Sequence, residues 1–111
     1  MEQRVKEAAQ QAAQKGVVFF GKLAQFNQSA LERRVVVGIR MDLYEKFGYG
    51  LWEVSVTGRT YAIKEMLKGR GYKWVGGEWV KTFKFELNEE SVVETFLRAT
   101  AEAMEVVELG S

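Results

Sequence analysis

The 111-residue chain contains no histidine and no cysteine. Without imidazole it lacks the usual general base, the nitrogen ligand of metal sites and the side chain that changes charge near neutrality. Without thiols it has neither a disulfide framework nor a thiolate zinc site. Proline is also absent, and nothing in the sequence accounts for that. No apolar run approaches the ~20 residues needed to cross a bilayer, and the N-terminus opens on polar residues, so the chain reads as soluble and cytoplasmic. The catalytic routes left are a carboxylate pair, a lysine nucleophile or a carboxylate-bound Mg²⁺. Asp42, the sole aspartate, has Glu45 and Glu53 as its nearest acidic neighbours, and the three can converge across a hairpin. Exposed carboxylates at alternating strand positions are equally what any soluble sheet carries. The reading is therefore of a protein without catalytic residues, metal or cofactor. Gly69-Arg70-Gly71 starts like a dinucleotide-binding glycine run, but position 74 is Trp and the run follows a helix, so the match is accidental.

What is present is hydrophobic and aromatic enough, at 47% and 13%, for one folded domain. It divides into an N-terminal helical segment, 1–33, and an α+β core, 34–111. Alanines 8, 9, 12 and 13 with Val5 give residues 2–15 a thin apolar stripe, a helix that frays unless a partner covers it. Residues 17–33 suit a second helix, although Val17-Val18-Phe19-Phe20 also fits a strand, since a short apolar run is ambiguous by periodicity. Period-two alternation marks strands over 35–43 and 52–56, separated by a glycine-containing loop. Thr60 is placed to cap a short helix with Ile63, Met66 and Leu67 on its buried side, closed by Gly69 and Gly71. Leu87, Asn88 and Val92 resemble a stapled cap opening a final helix to about Glu108, whose apolar face is Val92, Val93, Phe96, Leu97, Met104 and Val107. Two hairpins joined by a helix imply a four-stranded, mainly antiparallel sheet with the N- and C-terminal helices packed on one face.

The densest pattern runs from Thr60 to Phe85. Gly76-Gly77 reads as a type I′ turn, because both central residues need positive φ. That turn sets Trp74 opposite Trp79 and divides the hairpin into two faces. One carries Tyr72, Trp74, Trp79, Lys81, Phe83 and Phe85; the other carries Lys73, Val75, Glu78, Val80, Thr82, Lys84 and Glu86. The aromatic face is either the core side of the sheet, the commoner fate of such a face, or a stacking platform.

Charge is segregated behind a formal net of +1. Residues 59–84 sum to +5 and residues 85–111 to −6. The basic block either meets a polyanion or is neutralised by the acidic tail. Bases stack on aromatic rings while Lys and Arg follow phosphates, and Arg59, Lys64, Lys68, Arg70, Tyr72, Lys73, Trp74, Trp79, Lys81 and Lys84 supply both elements. These residues are the candidate DNA- or RNA-binding set. If the aromatics are core, the surface reduces to the helix N-terminus at Thr60 with Lys64, Lys68, Arg70, Lys73 and Lys84.

Ile63-Lys64, Leu67-Lys68, Gly71-Tyr72-Lys73-Trp74 and Trp79-Val80-Lys81 resemble the helix-plus-hairpin repeats beside conjugative primases and plasmid helicases. With Phe83-Lys84-Phe85 and the helix from Asn88, the stretch is similar to the HARP domain of annealing helicases. The resemblance covers a third to a half of the chain, and the turn here, Gly76-Gly77, is shorter than the primase-type loop. It implies a small DNA-binding module of the kind appended to a motor or nuclease, plasmid-, phage- or virus-like in its size. A different class remains open: a protein-interaction factor that modulates a larger enzyme through its acidic final helix or its N-terminal helices, which could also support a homodimer.

Overall fold

The computed structural model describes residues 2–19 and 34–110. Helix α1 (Gln3–Gln14) leads into a two-residue strand β1 (Val18–Phe19). Strands β2 (Val35–Tyr44) and β3 (Tyr49–Gly58) form a long hairpin around a 3₁₀ turn, Glu45–Phe47. A second 3₁₀ turn, Tyr61–Ile63, runs into α2 (Lys64–Gly69). Strands β4 (Lys73–Val75) and β5 (Glu78–Glu86) follow, and α3 (Glu89–Leu109) closes the described chain.

The α+β class and both hairpins are as the sequence implies, but the sheet has five strands in the order β1-β2-β3-β5-β4. The fifth is β1, which pairs parallel to β2 through Val18↔Gly38 and Phe19↔Ile39. Residues 17–19 are thus not helix. Parallel pairing is decided by a distant strand and leaves no local periodic signal. The remainder of the expected second helix, 20–33, lies outside the described residues.

Pairing of Val37 with Val56, Ile39 with Val54 and Gly50 with Phe85 puts Val37, Ile39, Trp52, Val54, Val56 and Phe85 on one face, under α3. Phe85 lies directly over Gly50, so a Cβ there would run into its ring. Trp52 packs edge-on against Phe96 of α3 at 4.9 Å and donates its indole N–H to the Val92 carbonyl at 3.2 Å. Asn88 caps α3 by accepting from the Ser91 N–H at 2.8 Å. Leu87, beside the cap, is half exposed. The buried stripe of α3 meets the expected one at Val93 and Phe96 and departs from it elsewhere, with Val92, Leu97, Met104 and Val107 only partly buried. Its centre is Phe96, Ala99, Thr100, Ala103 and Val106. Helix α1 lies parallel to α3: Lys15 meets Glu108 at one end (3.2 Å), while Glu2 and Arg4 line a cleft with Glu89, Glu90 and Glu94 at the other. This cover is what the thin alanine stripe requires, and Ala12 is fully buried.

Candidate nucleic-acid interface

Gly76 and Gly77 have φ of 57° and 87°, and β4 meets β5 through Trp74↔Trp79. The expected turn and register are both present. Helix α2 opens differently. Thr60 makes no side-chain cap; its carbonyl accepts from the Ile63 N–H at 3.0 Å in the 3₁₀ turn, so the helix starts at Lys64. Ile63 and Leu67 are buried as expected, whereas Met66 is exposed. The helix ends in a Schellman turn, with Tyr72 N–H on the Leu67 carbonyl (3.0 Å), Gly71 N–H on Lys68 (3.1 Å) and Gly71 at φ 94°.

That turn brings Tyr72 into the core and directs Arg70 at α3. The Arg70 guanidinium grips Glu102 with two bonds of 2.9 Å and also contacts Glu105. The Tyr72 hydroxyl donates to Glu102 at 3.1 Å, and the Lys81 ammonium lies 3.8 Å from the same carboxylate. Lys81 faces the helix side of the sheet, opposite Val54, where a charge needs a partner. Burial pushes the Glu102 carboxyl up, but Arg70, Lys81 and the Tyr72 hydroxyl together hold it below the ordinary carboxylate value. Burial, reinforced by Glu102, keeps the Tyr72 phenol protonated. The acidic tail therefore does neutralise part of the basic block, and Arg70, Tyr72 and Lys81 are engaged inside the protein.

The rest of the set divides again. Trp79 is 8% exposed and Trp74 58%. The two rings meet at 5.1 Å with planes 61° apart. Lys68 pairs with Glu65 at 3.4 Å. Among the described residues, Arg59, Lys64, Lys73 and Lys84 enter no salt bridge. Lys84 lies over the Tyr49 ring at 4.5 Å, at the far end of β5 and on the face away from α3. Lys73 shares that face beside the hairpin turn.

Arg59, Lys64, Trp74 and Trp79 come together with residues 58–62 around one groove of about 680 Å³. Gly58, at φ 84°, turns the chain out of β3, and the 3₁₀ turn then tucks Ile63 inward while Tyr61 points out, 81% exposed. The Lys64 ammonium sits 4.3 Å from the centre of the Tyr61 ring. Tyr61 and the backbone at Gly58 were not among the expected site residues. The available signal was position: Tyr61 lies two residues before Ile63, off the buried stripe that Ile63 and Leu67 define.

No protein-family model, curated protein or solved structure matches the chain.

A second polar cluster occupies the opposite face of the sheet. Arg40 bonds Glu53 at 2.8 Å and Glu78 at 2.7 and 3.2 Å, and the Ser55 hydroxyl donates to Glu78 at 2.5 Å. The Arg40 bond holds the Glu78 carboxyl below its usual range. Burial, with Asp42 adding repulsion, pushes Glu53 above it despite Arg40. Asp42 and Glu53 are thus near each other, and the Glu53 carboxylate is already engaged by the Arg40 guanidinium. Among the described residues no acidic group of three is arranged to hold a metal ion, and no helix is long and apolar enough to cross a membrane.

Proposed function

We propose that the protein is a non-enzymatic nucleic-acid-binding accessory protein whose contact surface is the groove between the 58–62 loop and the tip of the second hairpin. One observation carries the reading: two exposed aromatic rings, Tyr61 and Trp74, stand beside Arg59 and Lys64, cations that no described carboxylate neutralises. Rings that accept bases and charges that follow phosphates are the two requirements of such a surface. Lys73, one residue from Trp74 on the same strand, faces the other side of the sheet and lies outside the groove. The resemblance to HARP-type modules supports the same reading, since its helix and hairpin are the elements that build the groove. Arg70, Tyr72, Lys81 and Trp79 serve as its scaffold, and Lys84 is remote from it.

The test is a titration of labelled oligonucleotides into the protein at several salt concentrations, following both the label and tryptophan emission. Binding at low salt that weakens as salt rises is expected, and Arg59→Glu with Lys64→Glu should abolish it while leaving the fold intact by circular dichroism. No binding at low salt would end this reading and favour the protein-interaction alternative, in which the carboxylates at the N-terminal end of α3 meet a basic partner.

A further inference from the structure

We infer that the groove takes a single unpaired nucleotide unit, its base lying on Trp74 beside Tyr61 and its phosphate between Arg59 and Lys64, so that the protein selects single strands over duplex; this rests on the nucleic-acid reading above. Trp74 carries the argument. Its plane is inclined 61° to that of Trp79, so the pair is edge-to-face and cannot be a closed stack. Whichever ring presents its edge, at least one face of Trp74 is left without Trp79 against it. With 58% of the residue exposed on a three-residue edge strand, that face is open to a planar ligand.

The ligand's charge follows from the rim. A cationic ligand, the usual guest of an aromatic cage, would meet Arg59 and Lys64 and be repelled. A plain apolar guest would leave both cations unused. An aromatic ring that carries an anionic group one bond system away satisfies the rings and the cations at once, and the groove's 680 Å³ is in the range of pockets that hold such molecules. A nucleotide has this make-up.

Strand selection follows from magnitudes. One base–aromatic stack contributes roughly five- to 150-fold in affinity. Extruding a paired base from a duplex costs at least as much as one stack returns. Duplex can therefore reach Arg59 and Lys64 only through its phosphates, without occupying Trp74. The unit can belong to the interior of a strand, to its end or to a free mononucleotide, and the probes below separate these sources.

The experiment compares four probes at one low salt concentration: a single-stranded oligonucleotide, the same strand with abasic sites throughout its centre, the matching duplex, and a nucleoside monophosphate. The intact strand should bind at least fivefold more tightly than the abasic strand and the duplex and should quench Trp74. Trp74→Ala should bring the intact strand down to the abasic level and leave the duplex unchanged. Saturable quenching by the monophosphate would place the unit's recognition in the nucleotide itself; binding confined to strands would place it in a strand segment, and either outcome upholds a single-unit site. Equal affinity for intact and abasic strands, with Trp74→Ala silent, would overturn the inference while leaving nucleic-acid binding in place. Failure of every probe would remove both.

Discussion

Glu102 is the residue on which the most interactions converge, since one carboxylate accepts from Arg70 and Tyr72 and neutralises Lys81. Glu102→Gln removes the charge while keeping the shape, and should destabilise the fold by about 1–3 kcal/mol, the usual range for a hydrogen bond to a charged group left without its partner. Glu105→Gln, at a more exposed carboxylate, should have little effect. The pH dependence has a definite sign. Glu78 and Glu102 have carboxyls held below the ordinary value of 4.5, so the unfolded chain takes up protons first and stability falls as pH drops below that value. Glu53, raised above 4.5, works the other way: it opposes the folded state at neutral pH and is relieved as it protonates. Acid destabilisation is therefore carried by Glu78 and Glu102, with Glu53 opposing it. Urea unfolding between pH 3 and 6 checks this, and Glu102→Gln should flatten the acid limb; parallel curves for the variant and the parent would refute the assignment. None of this network was legible in the sequence. Arg70 and Glu102 are 32 residues apart, and a segregated charge pattern does not say which pairs close.

At the scale of elements, legibility followed how local the determinant was. The Gly76-Gly77 turn fixed the register of Trp74 and Trp79 because two positive φ values allow few alternatives. The Asn88 cap was equally local. Which of the two tryptophans would be covered was not, since that depends on β4 stopping at the edge of the sheet while β5 lies one strand further in. The two-residue parallel strand β1 had no local signature at all. Gly50 shows an element depending on a residue that propensity treats as a weakness. Phe85 fills the space where its side chain would be, so Gly50→Ala should cost about 1–3 kcal/mol by overpacking. Gly69, in the last turn of α2 with open space around it and an ordinary φ, should respond with the opposite sign, Gly69→Ala gaining roughly 0.4–1 kcal/mol. Thermal melts of the two variants test the pair, and destabilisation by both would show that the space at Gly50 is not what matters.

For the whole molecule, the separation of a +5 block from a −6 tail is partly undone by folding. Two of the seven bases, Arg70 and Lys81, are consumed by α3, Lys68 is held by its neighbour Glu65, and Lys84 is distant from the groove. Lys73 faces the other side of the sheet, so Arg59 and Lys64 are left in the groove. Their number sets the salt dependence: two single-strand phosphate contacts give a slope of log K against log salt of roughly −1.4, where all seven bases would give roughly −5. A slope near the steeper value would mean that the tail releases its cations on binding. The rim of the sheet has its own signature. Strand β4 covers β5 only from Glu78 to Val80, and the Glu86 N–H, on that same side, turns to the Ser91 hydroxyl at 2.9 Å. The intervening outward groups at Thr82 and Lys84 have no described strand opposite them, while Lys81, Phe83 and Phe85 point their amides at β3. Deuterium uptake along this ribbon should therefore alternate, quick at even positions 82 and 84 and slow at the odd positions between and beside them.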